Sequence, residues 1–290
     1  MEIKTFAVIG AGQMGTGIAQ VAASKGYTVV LNSTKDVSLE KAMNNIVRGL
    51  EKSVEKGKLS PEKKEEIVKK IMVTTRLGDI ASADFVVESV VEDERVKINL
   101  FRQLEEICRP EVILATNTSS VSLAKLAKVT NRSDKVIGMH FMYPPVQMKL
   151  VEIIRGLVTS DATFHTVKQL AVKLGKTPIE SKDLPCFITS RVIQTMINEA
   201  IYCLYEGVSV KEDIDTALKL GMNHPMGPLE LADFIGLDVV LSMQQSMYEG
   251  FKDAKYRPCP LLTKYVESGF LGRKAGRGFY QYDEKGEKIY

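Results

Sequence analysis

At 290 residues, 26% charged and 44% hydrophobic, the chain has the balance of a folded globular protein, which excludes disorder and fibrous repeats and leaves room for two domains. Its 39 basic and 36 acidic residues leave a net charge of only +3, which argues against nucleic acid as a partner. The four cysteines are scattered without a CxxC pair, no metal is expected, and no apolar run reaches the roughly 18 residues of a membrane span. With no signal-peptide layout after Met1-Glu2-Ile3-Lys4, the expected setting is a reducing, cytoplasmic one.

Residues 5–9 read as a short buried strand that runs into Gly10-Ala11-Gly12-Gln13-Met14-Gly15 and then a helical pattern ending near Gly26. A second strand is expected over 27–31. Residues 39–70 read as charge-rich helix, split at Ser60-Pro61 because serine caps and proline fits the first helical position. Further strands are expected over 71–74, 85–88, 112–115, 136–140 and 148–154, with helices over 95–107, 123–128 and 160–169. Strands alternating with helices predict βαβ units and a parallel sheet. From about residue 184 the pattern becomes helical, over 187–205, 210–220, 228–247 and 261–268, with a strand only at Gly278-Phe279-Tyr280. The expected domains are therefore 1–184, α/β, and 185–290, all-α, joined near Ser181-Lys182-Asp183-Leu184-Pro185.

A GxGxxG is weak alone but strong between a strand and a helix at the start of a βαβ unit. Gly10 permits the tight turn, Gly12 lets the backbone approach a pyrophosphate, and Gly15 lets helix and strand pack closely. The N–H groups of Gln13, Met14 and Gly15, at the positive end of the helix, would meet the phosphates. The second strand ends Asn32-Ser33-Thr34-Lys35, and position 33 is 21 residues beyond Gly12, where an NAD-preferring fold usually carries a carboxylate. A neutral hydroxyl there, with Thr34 and Lys35 beside it, predicts that NADP is accepted and slightly favoured over NAD. The alternative is that Asn32 or Ser33 bonds the NAD ribose with lower selectivity.

Of three histidines, His165 shares a helix face with Lys168 and Gln169 and is expected to be solvated, and His224 lies in a turn before a helix. His140 instead ends an apolar strand, at the sheet edge where open α/β folds bind ligands. Glu152 is the lone carboxylate of the next apolar strand and needs a partner. A His140–Glu152 pair would fix the tautomer and stabilise the imidazolium, serving either catalysis or a buried structural link. Asn117-Thr118-Ser119-Ser120 ends another strand and reads equally as a ligand contact or a helix-capping turn.

These segments, with Glu88-Ser89-Val90-Val91-Glu92, Met148-Lys149-Leu150-Val151-Glu152, His224-Pro225-Met226-Gly227-Pro228 and the stretch from Gly272 to Tyr280, resemble the 3-hydroxyacyl-CoA dehydrogenase family over essentially the whole chain. The resemblance implies a Rossmann-type dinucleotide-binding domain followed by a helical domain that forms a homodimer. It implies a CoA-thioester substrate. His140 would be general acid/base, Glu152 would orient it, and Ser119 would hydrogen-bond the reacting oxygen. Glu92, Lys97, Asn117 and Lys274 match positions that contact the dinucleotide, and Lys52, Lys56 and Lys58 fall where the family meets coenzyme A. Three positions depart from the family pattern. Ser33 replaces an aspartate, Tyr143 an asparagine after the histidine, and Ser190 an asparagine that helps to hold substrate. The expected reaction is interconversion of short (3S)-3-hydroxyacyl-CoA and 3-oxoacyl-CoA. Against it stand a different 3-oxo acid or diketone, and a dinucleotide-binding protein with little turnover.

Overall fold

The structure, a computed structural model, describes residues 2–289, so Met1 of the N-terminal reading and Tyr290 of the second domain lie outside it. Its contacts group the chain into two units, residues 1–183 and 184–290. No helix among the described residues is long and apolar enough to cross a membrane.

The first unit runs β1 (Thr5–Ile9), α1 (Gln13–Ser24), β2 (Thr28–Asn32), α2 (Asp36–Glu55), α3 (Pro61–Lys69), β3 (Ile71–Thr74), β4 (Phe85–Glu88) and α4 (Glu94–Ile107). It continues through β5 (Ile113–Thr116), α5 (Leu123–Ala127), β6 (Val136–Phe141), β7 (Leu150–Arg155), α6 (Asp161–Lys173) and β8 (Thr177–Lys182). The caps read from sequence are present: Ser60 Oγ accepts from Lys63 N and Ser160 Oγ from Thr163 N. All eight strands form one sheet in the order β3-β2-β1-β4-β5-β6-β7-β8. The order doubles back beside β1, the switch point where such sheets bind nucleotides.

Two strand expectations need correction. The sheet is mixed rather than parallel, because β7 returns antiparallel to β6 after a short connection that could not carry a crossover helix. Residues 177–182, read partly as linker, form β8 paired parallel to β7. Thr177-Pro178-Ile179-Glu180-Ser181-Lys182 lacks an apolar run because an edge strand needs to bury little. Apolar layers cover both sheet faces, one built on Phe6, Val8, Leu31 and Phe85, the other on Ala7, Val86, Phe101 and Leu114.

The second unit comprises α7 (Thr189–Tyr205), α8 (Lys211–Gly221), α9 (Pro228–Ile235), α10 (Leu237–Phe251), α11 (Pro260–Glu267) and an antiparallel ribbon of β9 (Gln281–Tyr282) and β10 (Lys288–Ile289). It is helical, as expected, with a small ribbon that lies beyond the expected 278–280. The helix expected over 228–247 breaks at Gly236, whose φ of 101° no α-helix accommodates. Ile197, Ile201, Leu229, Leu237, Val240 and Leu262 form its core.

Candidate active site

The carboxyl ends of β1, β4, β5 and β6 lie side by side, with Ile9 opposite Glu88, Glu88 opposite Thr116, and Thr116 opposite Gly138. At β1 the chain turns through Gly10 at φ 109°, where an added Cβ would stand 2.4 Å from the Ser89 carbonyl oxygen. A Cβ on Gly15 would stand 1.8 Å from the Gly10 carbonyl oxygen, so only glycine lets α1 sit against its turn. Gly12 faces the other way: a Cβ there would meet nothing within 4 Å. No side chain caps α1, so its first-turn N–H groups, at Gln13 and Met14, fit a pyrophosphate.

At the end of β2 the buried Asn32 amide donates to the Thr74 carbonyl at 3.0 Å, which commits its nitrogen to the sheet. Ser33 is half-buried, and Thr34 and Lys35 are exposed.

His140 and Glu152 are direct cross-strand partners of β6 and β7. Antiparallel partners share a face, so the ladder itself brings the two side chains together. His140 Nδ1 lies 2.7 Å from Glu152 Oε2, and His140 Nε2 lies 3.1 Å from Ser119 Oγ. Glu152 is wholly buried and His140 nearly so. As a carboxylate Glu152 only accepts, which assigns the Nδ1–H donor to the neutral ring and leaves Nε2 to accept from the Ser119 hydroxyl. The arrangement places a proton-accepting nitrogen beside a hydroxyl at the ligand-binding sheet edge.

The segment carrying Ser119 is tied down by acids. Glu92 Oε1 accepts from the Thr118 hydroxyl, from Ser119 N at 2.9 Å, and from Ser120 N and Oγ at 3.0 Å each. Glu92 Oε2 lies 3.1 Å from Lys97 Nζ. Burial alone would raise the Glu92 carboxyl, but the Lys97 ammonium and the donors from Thr118 and Ser119 hold it below the usual range. Lys97 also donates to Glu88 Oε1 at 2.6 Å. Asn117 Oδ1 accepts from Phe141 N at 2.8 Å, linking the ends of β5 and β6.

Glu92, Lys97 and Asn117 therefore each have internal partners. The Lys97 side chain is 1% exposed between the two carboxylates. Glu88 was passed over as a site residue. Its signal was the one that exposed Glu152: a lone carboxylate closing an apolar strand, Phe85-Val86-Val87-Glu88, must have a buried partner. Lys176 was also missed; it donates to the Pro145 and Met148 carbonyls and fixes the connection that carries Tyr143.

The remaining expected residues lie apart from this cluster or in the second unit. Lys52 is in the last turn of α2, Lys56 caps it and Lys58 follows, all exposed. Ser190 is half-buried in the first turn of α7. Lys274 pairs with both Asp238 oxygens at 2.6 Å. Asn198 is fully committed, donating to the Arg257 carbonyl and accepting from Cys259 N, so it offers no replacement for an amide at position 190. His165 is exposed beside Phe164, and His224 sits half-buried in the turn before α9.

Residues 5–184 match the family model described as 3-hydroxyacyl-CoA dehydrogenase, NAD binding domain, and residues 187–282 match that for the C-terminal domain of the same family. The chain is 50% identical over 285 residues to the probable 3-hydroxybutyryl-CoA dehydrogenase of Bacillus subtilis, covering 98% of this chain and 99% of the relative. It is 52% identical over 280 residues to the 3-hydroxybutyryl-CoA dehydrogenase of Bradyrhizobium diazoefficiens, covering 97% and 96%. Among solved structures, the (S)-3-hydroxybutyryl-CoA dehydrogenase of Ralstonia eutropha matches with a TM-score of 0.96 at 43% identity, covering 98% of this chain and all of the other.

Proposed function

The chain belongs to the 3-hydroxyacyl-CoA dehydrogenase family of oxidoreductases, and from that premise we propose that it interconverts short (3S)-3-hydroxyacyl-CoA and 3-oxoacyl-CoA, with 3-hydroxybutyryl-CoA and acetoacetyl-CoA as the substrate pair. The observation that carries this reading is the Ser119–His140–Glu152 chain at the carboxyl edge of the sheet. A nicotinamide bound at the glycine loop supplies or accepts the hydride at substrate C3. In oxidation, Ser119 holds the 3-hydroxyl and His140 Nε2 takes its proton. Glu152 keeps the ring oriented and balances the imidazolium. In reduction the imidazolium returns that proton to the 3-oxygen.

The family's first domain binds NAD. We infer that NADP is also accepted, and slightly favoured, because Ser33 puts no carboxylate where a 2′-phosphate would lie. A tenfold kcat/KM preference for NADH over NADPH would overturn this. The exposed Lys52, Lys56 and Lys58, which have no ion pair among the described residues, suit the phosphates of coenzyme A. Exposed Val192, Leu220 and Met222 on the second unit suit a homodimer formed through it, to be checked by light scattering.

The test is a coupled panel of acetoacetyl-CoA, longer 3-oxoacyl-CoAs, free 3-oxo acids and diketones with NADH and NADPH. Reduction of acetoacetyl-CoA supports the reading. Turnover only of substrates not carried on CoA would move the protein to a different 3-oxo substrate, as the Tyr143 and Ser190 departures allow. Turnover of none would leave a dinucleotide-binding protein.

A further inference from the structure

We propose that Arg76 is a specificity residue that holds the 2′-phosphate of NADP(H); the role rests on the NADP reading above and deepens it. β2 and β3 are parallel neighbours, with Asn32 opposite Thr74 at their carboxyl ends. The tie continues past the strands. The Thr74 carbonyl accepts from the Asn32 amide at 3.0 Å and from Ser33 N at 3.2 Å. Arg76, two residues on, therefore stands at the corner where β2 gives way to Ser33, Thr34 and Lys35. Its turn is closed from within: Arg76 N donates to Thr74 Oγ1 at 3.1 Å, and Thr74 Oγ1 donates to Asp79 Oδ2 at 2.6 Å. The guanidinium reaches the same carboxylate, with Nη2 3.0 Å from Asp79 Oδ1 and Nε 3.3 Å from Oδ2.

A dinucleotide fold that prefers NAD carries a carboxylate for the ribose 2′-hydroxyl, and one that takes NADP has an arginine nearby for the 2′-phosphate. Here the carboxylate position is Ser33, half-buried and neutral, and Arg76 leaves the neighbouring strand beside it. Asp79 takes two of the five guanidinium donors, so three remain for a phosphate. Stability is a poor reason for the residue: the Arg76 side chain is 82% exposed, and an ion pair that exposed contributes little. Asp79 does not depend on it either, since the Thr74 hydroxyl does more than Arg76 to hold its carboxyl below the usual value. What the pair does supply is orientation, which lessens the freedom lost when the fork meets an anion. Of the carboxylates nearby, Asp79 is thus already balanced, and Asp36 opens α2, where the positive end of the helix offsets its charge. Lys35, exposed just before α2, adds positive charge to the same corner.

The experiment uses the full-length protein and reads binding without turnover. NADPH and NADH are titrated by fluorescence into the wild type and Arg76→Gln. Calorimetry does the same with 2′,5′-ADP and 5′-AMP, which differ by the 2′-phosphate and carry no nicotinamide. Arg76→Gln should weaken NADPH and 2′,5′-ADP about 10–100-fold, the scale of a lost charge-assisted pair, and leave NADH and 5′-AMP unchanged. Arg76→Lys, which keeps the charge and loses the fork, should fall between. Equal NADPH binding by the wild type and Arg76→Gln would overturn the proposal. So would a parallel loss for NADH and 5′-AMP, which would make Arg76 a support of its turn and not a phosphate ligand. The NADP reading fails separately, on a kcat/KM preference of the wild type for NADH. If Arg76→Gln then still weakens 2′,5′-ADP and spares 5′-AMP, the role of Arg76 stands without that preference.

Discussion

The two units hold their inward-facing carboxylates in opposite ways. In the first, Glu88 and Glu92 share Lys97, and Glu152 faces His140. In the second, Asp215 accepts from Leu229 N, Glu230 N and the Tyr280 hydroxyl, and Asp233 from Phe279 N, Tyr280 N and the Tyr282 hydroxyl, all at 2.8–3.0 Å. Carboxylates paired with the lysine and the histidine cluster at the carboxyl edge of the sheet, where the proposed reaction would move a proton. Carboxylates satisfied by neutral donors staple main chain: Asp215 caps the start of α9, and Asp233 pins the segment leading into β9. The packing at these staples is close enough that a Cβ on Gly227 would lie 2.3 Å from Asp215, and one on Gly278 would lie 1.9 Å from Asp233.

The contrast breaks most sharply at His140. His140→Ala should lower kcat by ~10²–10⁴ if the ring transfers the proton, while the folded protein retains its NADH affinity by fluorescence titration. Turnover near wild type would reduce the His140–Glu152 pair to a structural link and erase the difference between the units. Next in size, Asp233→Ala strands three buried donors and should destabilise by about 2–4 kcal/mol. Calorimetry should show a lowered midpoint, and an unchanged one would mean that the tail is held by packing alone.

The smallest effect is one of pH. Burial pushes Asp215 and Asp233 above the ordinary aspartate value of 3.8, against the donors that pull the other way. Their folded values exceed their unfolded ones, so their contribution is fullest below 3.8 and is lost as pH rises through the folded values. Glu92 is the reverse. Its folded value lies below the ordinary 4.5, so its contribution is present above 4.5 and is lost as pH falls through the folded value. Acidification from neutral to about 4 should therefore loosen residues 118–120 and tighten 278–282. Hydrogen exchange corrected for intrinsic rates would show it, and both segments moving the same way would remove the contrast.

Much of this was readable in residues. The Gly10–Gly15 turn announced itself by lying between strand and helix patterns, and the His140–Glu152 pair by one carboxylate in an apolar strand. The Ser119 geometry was not readable, because its segment also fits a capping turn and only the distance to His140 separates the two. β8 escaped because an edge strand carries little hydrophobic signal, and the α9–α10 break because a single glycine inside an apolar helix pattern is usually tolerated. The inward turn of the Lys97 ammonium onto Glu88 was not readable either, because nothing in sequence spacing says which way α4 points it.

The antiparallel register that sets Glu152 opposite His140 also separates two failure modes. β6 and β7 are interior strands, flanked by β5 and β8, so the pair persists as long as the main-chain ladder does. Among the described residues Ser119 is held through side chains, which can let go locally at far lower cost than melting a sheet. On warming, the enzyme should therefore lose rate before it loses structure. That early loss should reverse on cooling, because the part that must re-form is a loop of a few residues on an intact floor.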